Sequence, residues 1–169
     1  MKIGIIGNGF VGGAVRYGFS PNVGCDAEVR VYDKEETKST HTLKDVCESD
    51  FIFISVPTPA DSTGRINLNI VEDVLKDIEN IHHYETDGGV NGIILIRSTV
   101  IPGTTRKLQE KHPRLKLVFN PEFLTERSAN FDFINQSRFI LGGESSNVEK
   151  VSDLYKWRFG KTVSIIKTD

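Results

Sequence analysis

Lys2-Ile3-Gly4-Ile5-Ile6-Gly7-Asn8-Gly9-Phe10-Val11-Gly12-Gly13-Ala14-Val15 opens the chain and decides its architecture. Lys2 to Ile6 is a strand-sized apolar run, and Val11, Ala14, Val15, Gly18 and Phe19 after it recur at helical spacing. The three glycines of the G-x-G-x-x-G pattern therefore sit in a strand-to-helix turn, the context that gives that pattern meaning. There Gly7 permits the tight turn, Gly9 lets backbone amides approach a pyrophosphate, and Gly12 lets the helix pack close to the strand. The amides of Asn8, Phe10 and Val11 complete the candidate phosphate cradle, because a helix N-terminus supplies free donors and partial positive charge. Alone, the same glycines would also suit a plain turn.

Working outward, a second strand from Glu28 to Tyr32 ends at Asp33, about 20 residues beyond the glycines, where an acid accepts the ribose hydroxyls of an adenosine. Against a 2′-phosphate the same carboxylate repels by roughly 1 to 4 kcal/mol at ~4 Å separation. The expected cofactor is thus NAD, preferred over NADP by about one to three decades, with Lys34 reducing the margin. Further apolar runs follow at Phe51 to Val56, Ile93 to Arg97, Leu115 to Phe119, Arg138 to Leu141 and Thr162 to Ile166. They read as strands buried on both faces. Between them lies a helical stripe of Ile70, Val71, Val74, Leu75, Ile78 and Ile81, opened by the capping pair Asn69 and Glu72. Ser146 and Glu149 form a similar pair before Val148, Val151, Leu154 and Tyr155, and Gly160 closes that helix. Shorter crossovers are expected near Thr42 to Ser49 and Thr104 to His112. Strand and helix in alternation predict an α/β fold of Rossmann type, doubly wound, with a mainly parallel sheet and helices on both faces.

Composition bounds the rest. The 169 residues are 38% hydrophobic and 26% charged, with net charge −2, which describes one soluble domain spanning residues 1–169. No block of like charge provides a footprint for nucleic acid or an acidic membrane. No apolar run approaches the ~20 residues of a membrane span. Cys25 and Cys47 fit no metal spacing and read as small buried or half-exposed residues, and the start lacks a signal peptide, so a reducing cytoplasm is expected. His41, His82, His83 and His112 show no ligand spacing and read as surface residues. Tyr84 to Gly92 reads as a polar surface connection. Pro57 to Asn67 is a second loop, placed where ligands bind, at the carboxyl end of a strand.

Three segments at such ends are candidates for chemistry. Val56-Pro57-Thr58-Pro59 makes a rigid corner that can hold backbone groups against a cofactor ribose, or is an ordinary turn. Arg97-Ser98-Thr99-Val100-Ile101-Pro102-Gly103-Thr104 brings hydroxyls to the sheet edge, although Ser98 and Thr104 also suit helix caps. Asn120-Pro121-Glu122-Phe123-Leu124-Thr125-Glu126 places two carboxylates four residues apart; one can serve as a general base, or both can be solvated on a helix turn.

Taken in order, Gly7 to Gly12, Val56 to Pro59, Ser98-Thr99-Val100 with Pro102-Gly103-Thr104, and Asn120 to Leu124 resemble the NAD-binding half of the UDP-glucose 6-dehydrogenase and nucleotide-sugar dehydrogenase family. Phe131-Asp132-Phe133 and Ser137 to Gly143 extend the resemblance along nearly the whole chain. The family oxidises a sugar C6 alcohol to a carboxylate with two NAD, through a thiohemiacetal and a thioester on a cysteine. By resemblance, Thr99 helps hold a water or oxyanion, Glu122 is the base of thioester hydrolysis, and Glu122, Phe123, Leu124 and Glu126 line the sugar-nucleotide site. Arg127 stands where the family usually has glycine, and Gln136-Ser137 where it commonly has Pro-Asp. The sequence stops about where the family's long central helix begins. Its lysine, asparagine and cysteine motif are therefore expected from a C-terminal half or a partner chain, and homo-oligomerisation is open. Alternatives are a stand-alone NAD-binding or sensing module and the first domain of a β-hydroxyacid dehydrogenase relative.

Overall fold

In the computed structural model, which describes residues 1–83 and 91–168, seven strands form one sheet in the order β2-β1-β3-β4-β5-β6-β7. The strands are β1 (Lys2–Ile6), β2 (Glu28–Tyr32), β3 (Phe51–Ile54), β4 (Ile93–Ile96), β5 (Leu117–Phe119), β6 (Arg138–Gly143) and β7 (Ser164–Thr168). The helices are α1 (Phe10–Gly18), α2 (Leu43–Cys47), α3 (Asn69–His83), α4 (Thr104–Lys111), α5 (Ala129–Ile134) and α6 (Ser145–Phe159). Pairing is parallel throughout except between β5 and β6, which run antiparallel with Val118 opposite Gly143. The sheet is therefore mainly parallel and Rossmann-like, with helices on both faces. The chain winds outward from β1 to β2, then crosses to β3 on the other side of β1, so a switch point falls between the carboxyl ends of β1 and β3.

Two cores lie on opposite sheet faces, which is why the central strands read as continuous apolar runs. Ile3, Ile5, Phe53, Leu95 and Val118 meet Ala14 and Val15 of α1, Phe133 of α5 and Val151 and Leu154 of α6. Ile6, Ile52, Ile54, Ile94 and Ile96 meet Val46 of α2, Val71, Leu75 and Ile78 of α3 and Leu108 of α4. On the first face Phe139 stacks on Tyr155 at 3.8 Å, and Phe133 meets Phe139 and Phe159 edge-on. On the second face no described helix covers β6 and β7, and a hollow of about 720 Å³ runs past Ile101, Phe119, Gly142 and Thr168.

Several local expectations are corrected. β3 stops at Ile54 and β4 at Ile96, because proline and hydroxyl-rich corners follow. β5 starts two residues later than its apolar run, and β7 lies two residues further on, as an edge strand with Ile166 46% exposed rather than buried on both faces. At α3 the side chain that meets the helix start is Asn67, whose Oδ1 accepts from the Asn69 amide at 2.8 Å; Glu72 instead pairs with Lys111. At α6 the cap is Glu144, accepting from the Ser146 and Asn147 amides, while Glu149 pairs with Lys167. The carboxylate of Glu144 reaches two orphan donors at once, which Ser146 inside the first turn does not. Gly160 closes α6 at φ +92, and Thr42 with Asp45 forms a reciprocal capping box at α2. His112 is buried at 2% exposure, its Nδ1 2.7 Å from Glu79, because it terminates α4 against α3; it is not a surface residue. His41 is half-buried beside Thr40, and the side chains of His82 and His83 lie outside the described residues, as does most of the Tyr84 to Gly92 connection. Cys25 and Cys47 are both buried free thiols, and burial pushes Cys47 up to about 12. Among the described residues no cluster of metal-ligating side chains occurs, and no helix is long and apolar enough to cross a membrane.

Candidate functional site

The glycine turn folds as its residue types require. Gly7 has φ +90, and a Cβ there would lie 2.7 Å from the Ser55 carbonyl oxygen, so the carboxyl ends of β1 and β3 approach too closely for any side chain. Gly12 packs on the turn itself: its Cβ would overlap the Gly7 carbonyl oxygen and come within 3.2 Å of Ile5 Cγ2. At Gly9, in contrast, a Cβ would meet nothing within 4 Å. Open space thus fronts the N-terminus of α1, which has no side-chain cap and no acid in its first turn. Its orphan amides remain available to an anion.

Asp33 sits beside this opening at the end of β2. Its Oδ2 accepts from the Asn8 amide at 2.7 Å and its Oδ1 from the Glu35 amide at 2.9 Å. Two backbone donors therefore aim the carboxylate, and each oxygen keeps a free lone pair for a ribose hydroxyl. Asn8 itself is anchored by its side-chain amide, which donates to the Lys38 carbonyl at 2.8 Å. Lys38 pairs with Glu35 at 2.6 Å, so this nearby cation is already matched.

A cleft of about 500 Å³ runs from there across the switch point. It brings together Gly7, Gly9, Phe10, Val11, Asp33, Lys34, Val56, Pro57, Thr58, Ser98, Thr99 and Glu122. Two cross-loop hydrogen bonds set its far wall: Ser98 Oγ donates to the Val56 carbonyl at 2.7 Å, and Thr58 Oγ1 donates to the Thr99 carbonyl at 2.8 Å. Ser98 is therefore a staple between two loops rather than a helix cap. Thr104 is the buried first residue of α4, whose N-cap is Gly103 at φ +83. Thr99 stands exposed at the rim.

Glu122 reaches the same cleft through an extended segment. The pair Glu122 and Glu126 does not share a helix turn, since residues 121 to 125 are non-helical and Glu126 begins a 3-10 turn. The Leu124 amide donates to Glu122 Oε2 at 2.6 Å and orients the carboxylate. Phe123 is 57% exposed, Leu124 packs against the core, and Glu126 faces a separate hollow with Arg16 and Arg127. Asn8, Gly12, Phe123, Leu124 and Glu126 thus lie outside the cleft lining.

The cleft also includes residues that sequence reasoning missed: Ser55, Glu35, Lys38, Ile70, Val74, Asp77 and Arg97. Ile70, Val74 and Asp77 share one stripe of α3, a signal present in the helical period. Ser55 and Arg97 gave no such signal. Ser55 Oγ is buried without a partner, and Arg97 is fully buried with only Nη1 bonded, to Asn120 Oδ1 at 2.8 Å. Burial pulls the Arg97 pKa down, against Tyr155 and Glu122, which raise it; Tyr155 is itself pushed up to about 12 by burial.

These features fit NAD. An uncapped helix terminus in open space suits a pyrophosphate, and a backbone-aimed carboxylate at a strand end suits a ribose diol.

Comparison with known proteins agrees with that reading. Residues 30–158 match the model for the NAD-binding domain of the UDP-glucose/GDP-mannose dehydrogenase family. UDP-glucose 6-dehydrogenase of Campylobacter jejuni is 31% identical over 92% of this chain and 45% of its own length. A ternary complex of GDP-mannose dehydrogenase from Pseudomonas aeruginosa superposes with TM-score 0.77 at 22% identity, covering 99% of this chain and 46% of that one. UDP-glucose dehydrogenase from Pyrobaculum islandicum gives 0.75 at 24% identity, over 98% and 45%. The chain spans less than half the length of these proteins.

Proposed function

The chain belongs to the UDP-glucose/GDP-mannose dehydrogenase family as its NAD-binding domain, and from that premise we propose that it carries the cofactor half of a nucleotide-sugar dehydrogenase active site. The proposed reaction oxidises the C6 alcohol of a UDP-glucose-like sugar to a carboxylate with two NAD. The carrying observation is that one cleft holds the glycine turn, Asp33, the Ser98-Thr99 corner and Glu122 together.

Each residue then has a physical task. The α1 amides around Gly9 hold the pyrophosphate, and Asp33 holds the adenosine ribose. Val56, Pro57 and Thr58 form a stiff wall, tied to the opposite loop through Thr99 and Ser98. NAD, when bound, supplies the hydride acceptor. Thr99, exposed at the rim, holds a water or substrate oxygen through its hydroxyl. Glu122, oriented by the Leu124 amide, takes a proton from the water that attacks the acyl carbon of a thioester. Hydrolysis then yields the carboxylate and returns the thiol. Phe123, Leu124 and Glu126 lie on the same segment outside the cleft lining, and their assignment to the sugar nucleotide rests on the family resemblance alone. The nucleophilic thiol is assigned to a C-terminal half or partner chain, since Cys25 and Cys47 are buried and away from the cleft.

The test has two stages. Calorimetric titration of the chain with NAD is expected to show saturable binding. The native protein, recovered from its source with everything it retains, is then assayed for UDP-glucose-dependent NADH formation. Glu122→Gln in that assembly is expected to stall turnover after acyl formation while hydride transfer persists. Failure of the chain to bind NAD overturns the reading at its base, and unchanged turnover with Glu122→Gln overturns the assigned base.

A further inference from the structure

Arg97 follows β4 and is 1% exposed, the largest fully buried side chain among the described residues. Its Nη1 donates to Asn120 Oδ1 at 2.8 Å, but Nε and Nη2 meet no partner, and the guanidinium carbon lies 5.5 Å from the Phe133 ring centroid. Asn120 is itself immobilised: Tyr155 donates its hydroxyl to the same Oδ1, and Asn120 Nδ2 donates to the Ile140 carbonyl at 3.2 Å. A permanent cation surrounded only by neutral acceptors is strongly disfavoured unless a counter-charge is near. Burial disfavours the charge of this guanidinium, and the groups that favour it are Tyr155 first and then the carboxylate of Glu122. Glu122 lies two residues beyond Asn120, and it lines the same cleft as Arg97. The Leu124 amide takes one of its oxygens; Oε1 accepts no hydrogen bond from a described residue.

We propose that Arg97 is the positioning residue for Glu122: clamped by Asn120 and carrying two free donors, its guanidinium is the fixed counter-charge that holds the Glu122 carboxylate at the cleft. The proposal rests on the reading of Glu122 as the base, but its physical content is a charge coupling that the chain carries without any reaction. A purely space-filling Arg97 would show no such coupling.

The experiment is a double-mutant cycle by urea unfolding of the chain at neutral pH. Gln at position 122 keeps an acceptor for the Leu124 amide, so Glu122→Gln reads charge alone. It is expected to lower the folding equilibrium constant roughly tenfold, within the range for charged neighbours. The same loss is expected in an Arg97→Lys background, where the charge persists, and no loss in Arg97→Met. If Arg97→Met does not fold, Glu122→Gln is compared with Glu110→Gln, an exposed carboxylate, and only the former is expected to destabilise. An equal Glu122→Gln effect in the Met and wild-type backgrounds, or one no larger than Glu110→Gln, overturns the proposal. Coupling observed while Glu122→Gln leaves turnover of the assembled enzyme unchanged supports the proposal and overturns the base assignment instead.

Discussion

Gly9 and Gly12 stand three residues apart in one motif, yet the structure gives them opposite sensitivities. Gly12→Ala forces a methyl into the Gly7 carbonyl oxygen and within 3.2 Å of Ile5 Cγ2. The obstacle is backbone, so overpacking reaches about 3 kcal/mol, offset by about 1 kcal/mol from replacing glycine inside a helix. The net loss of folding stability is about 2 kcal/mol. Gly9→Ala meets open space, and its backbone at φ −78 and ψ −160 is ordinary extended geometry. The folding loss is then limited to the poorer N-cap propensity of alanine, at most about 1 kcal/mol. The methyl instead occupies the volume in front of the α1 amides. Displacing a pyrophosphate from a single charge-assisted hydrogen bond removes about 1.5 to 3 kcal/mol, or roughly one to two decades in NAD affinity. Urea unfolding and calorimetric NAD titration of both variants make the comparison. Gly9→Ala binding NAD as tightly as wild type, or unfolding as readily as Gly12→Ala, would contradict a pyrophosphate seated in the open space at Gly9.

Further outcomes follow from other contacts. Wild type is expected to bind NAD about one to three decades more tightly than NADP, and Asp33→Asn to narrow that ratio at least about tenfold; equal affinities of the wild type for the two cofactors would remove Asp33 from the ribose site. Gly18→Ala places a methyl against the Phe133 ring where α1 crosses α5, and lowers stability by about 1 to 3 kcal/mol in urea unfolding; a neutral result would show that the helices separate freely. Cys47, pushed up to about 12 from an ordinary 9.0, stays a neutral thiol in the fold while the unfolded chain ionises first. Its contribution is therefore complete below pH 9.0 and lost as pH climbs from there toward about 12. Below that window a thiol reagent should label it only as fast as the chain opens, and prompt labelling in native buffer would contradict its burial.

The central architecture was legible because each local signal agreed with the next. Strand-length apolar runs need burial on both faces, and the helices that provide it, α1 and α3, carry unbroken apolar stripes. Legibility failed where tertiary partners outweigh local chemistry. Glu72 and Glu149 have the spacing of capping residues, yet distant lysines at 111 and 167 draw each away. His112 looks like a polar residue after a lysine-rich helix, and is buried because Glu79 on another helix pairs with it. β7 has the residues of an inner strand and lies at an edge, since a sheet's order depends on connections that periodicity does not encode.

The same distinction separates the two ends of the cleft. At the glycine turn every functional group is a backbone amide or a neighbour within one βαβ unit, so the motif itself carries the geometry. At the Glu122 end the groups come from separate strands and helices. Arg97, at a strand terminus, reads locally as an ordinary polar boundary; its role depends on Asn120, 23 residues away, and on Tyr155, 35 residues beyond Asn120. Tyr155 reads in sequence as one more apolar position of α6, and it does stack on Phe139. Its hydroxyl meets Asn120 Oδ1, which also accepts from Arg97 Nη1, and so links that core helix to the buried guanidinium. Sequence can therefore locate a cofactor loop built from consecutive residues, whereas a buried charge network needs the sheet to be assembled before its members face one another.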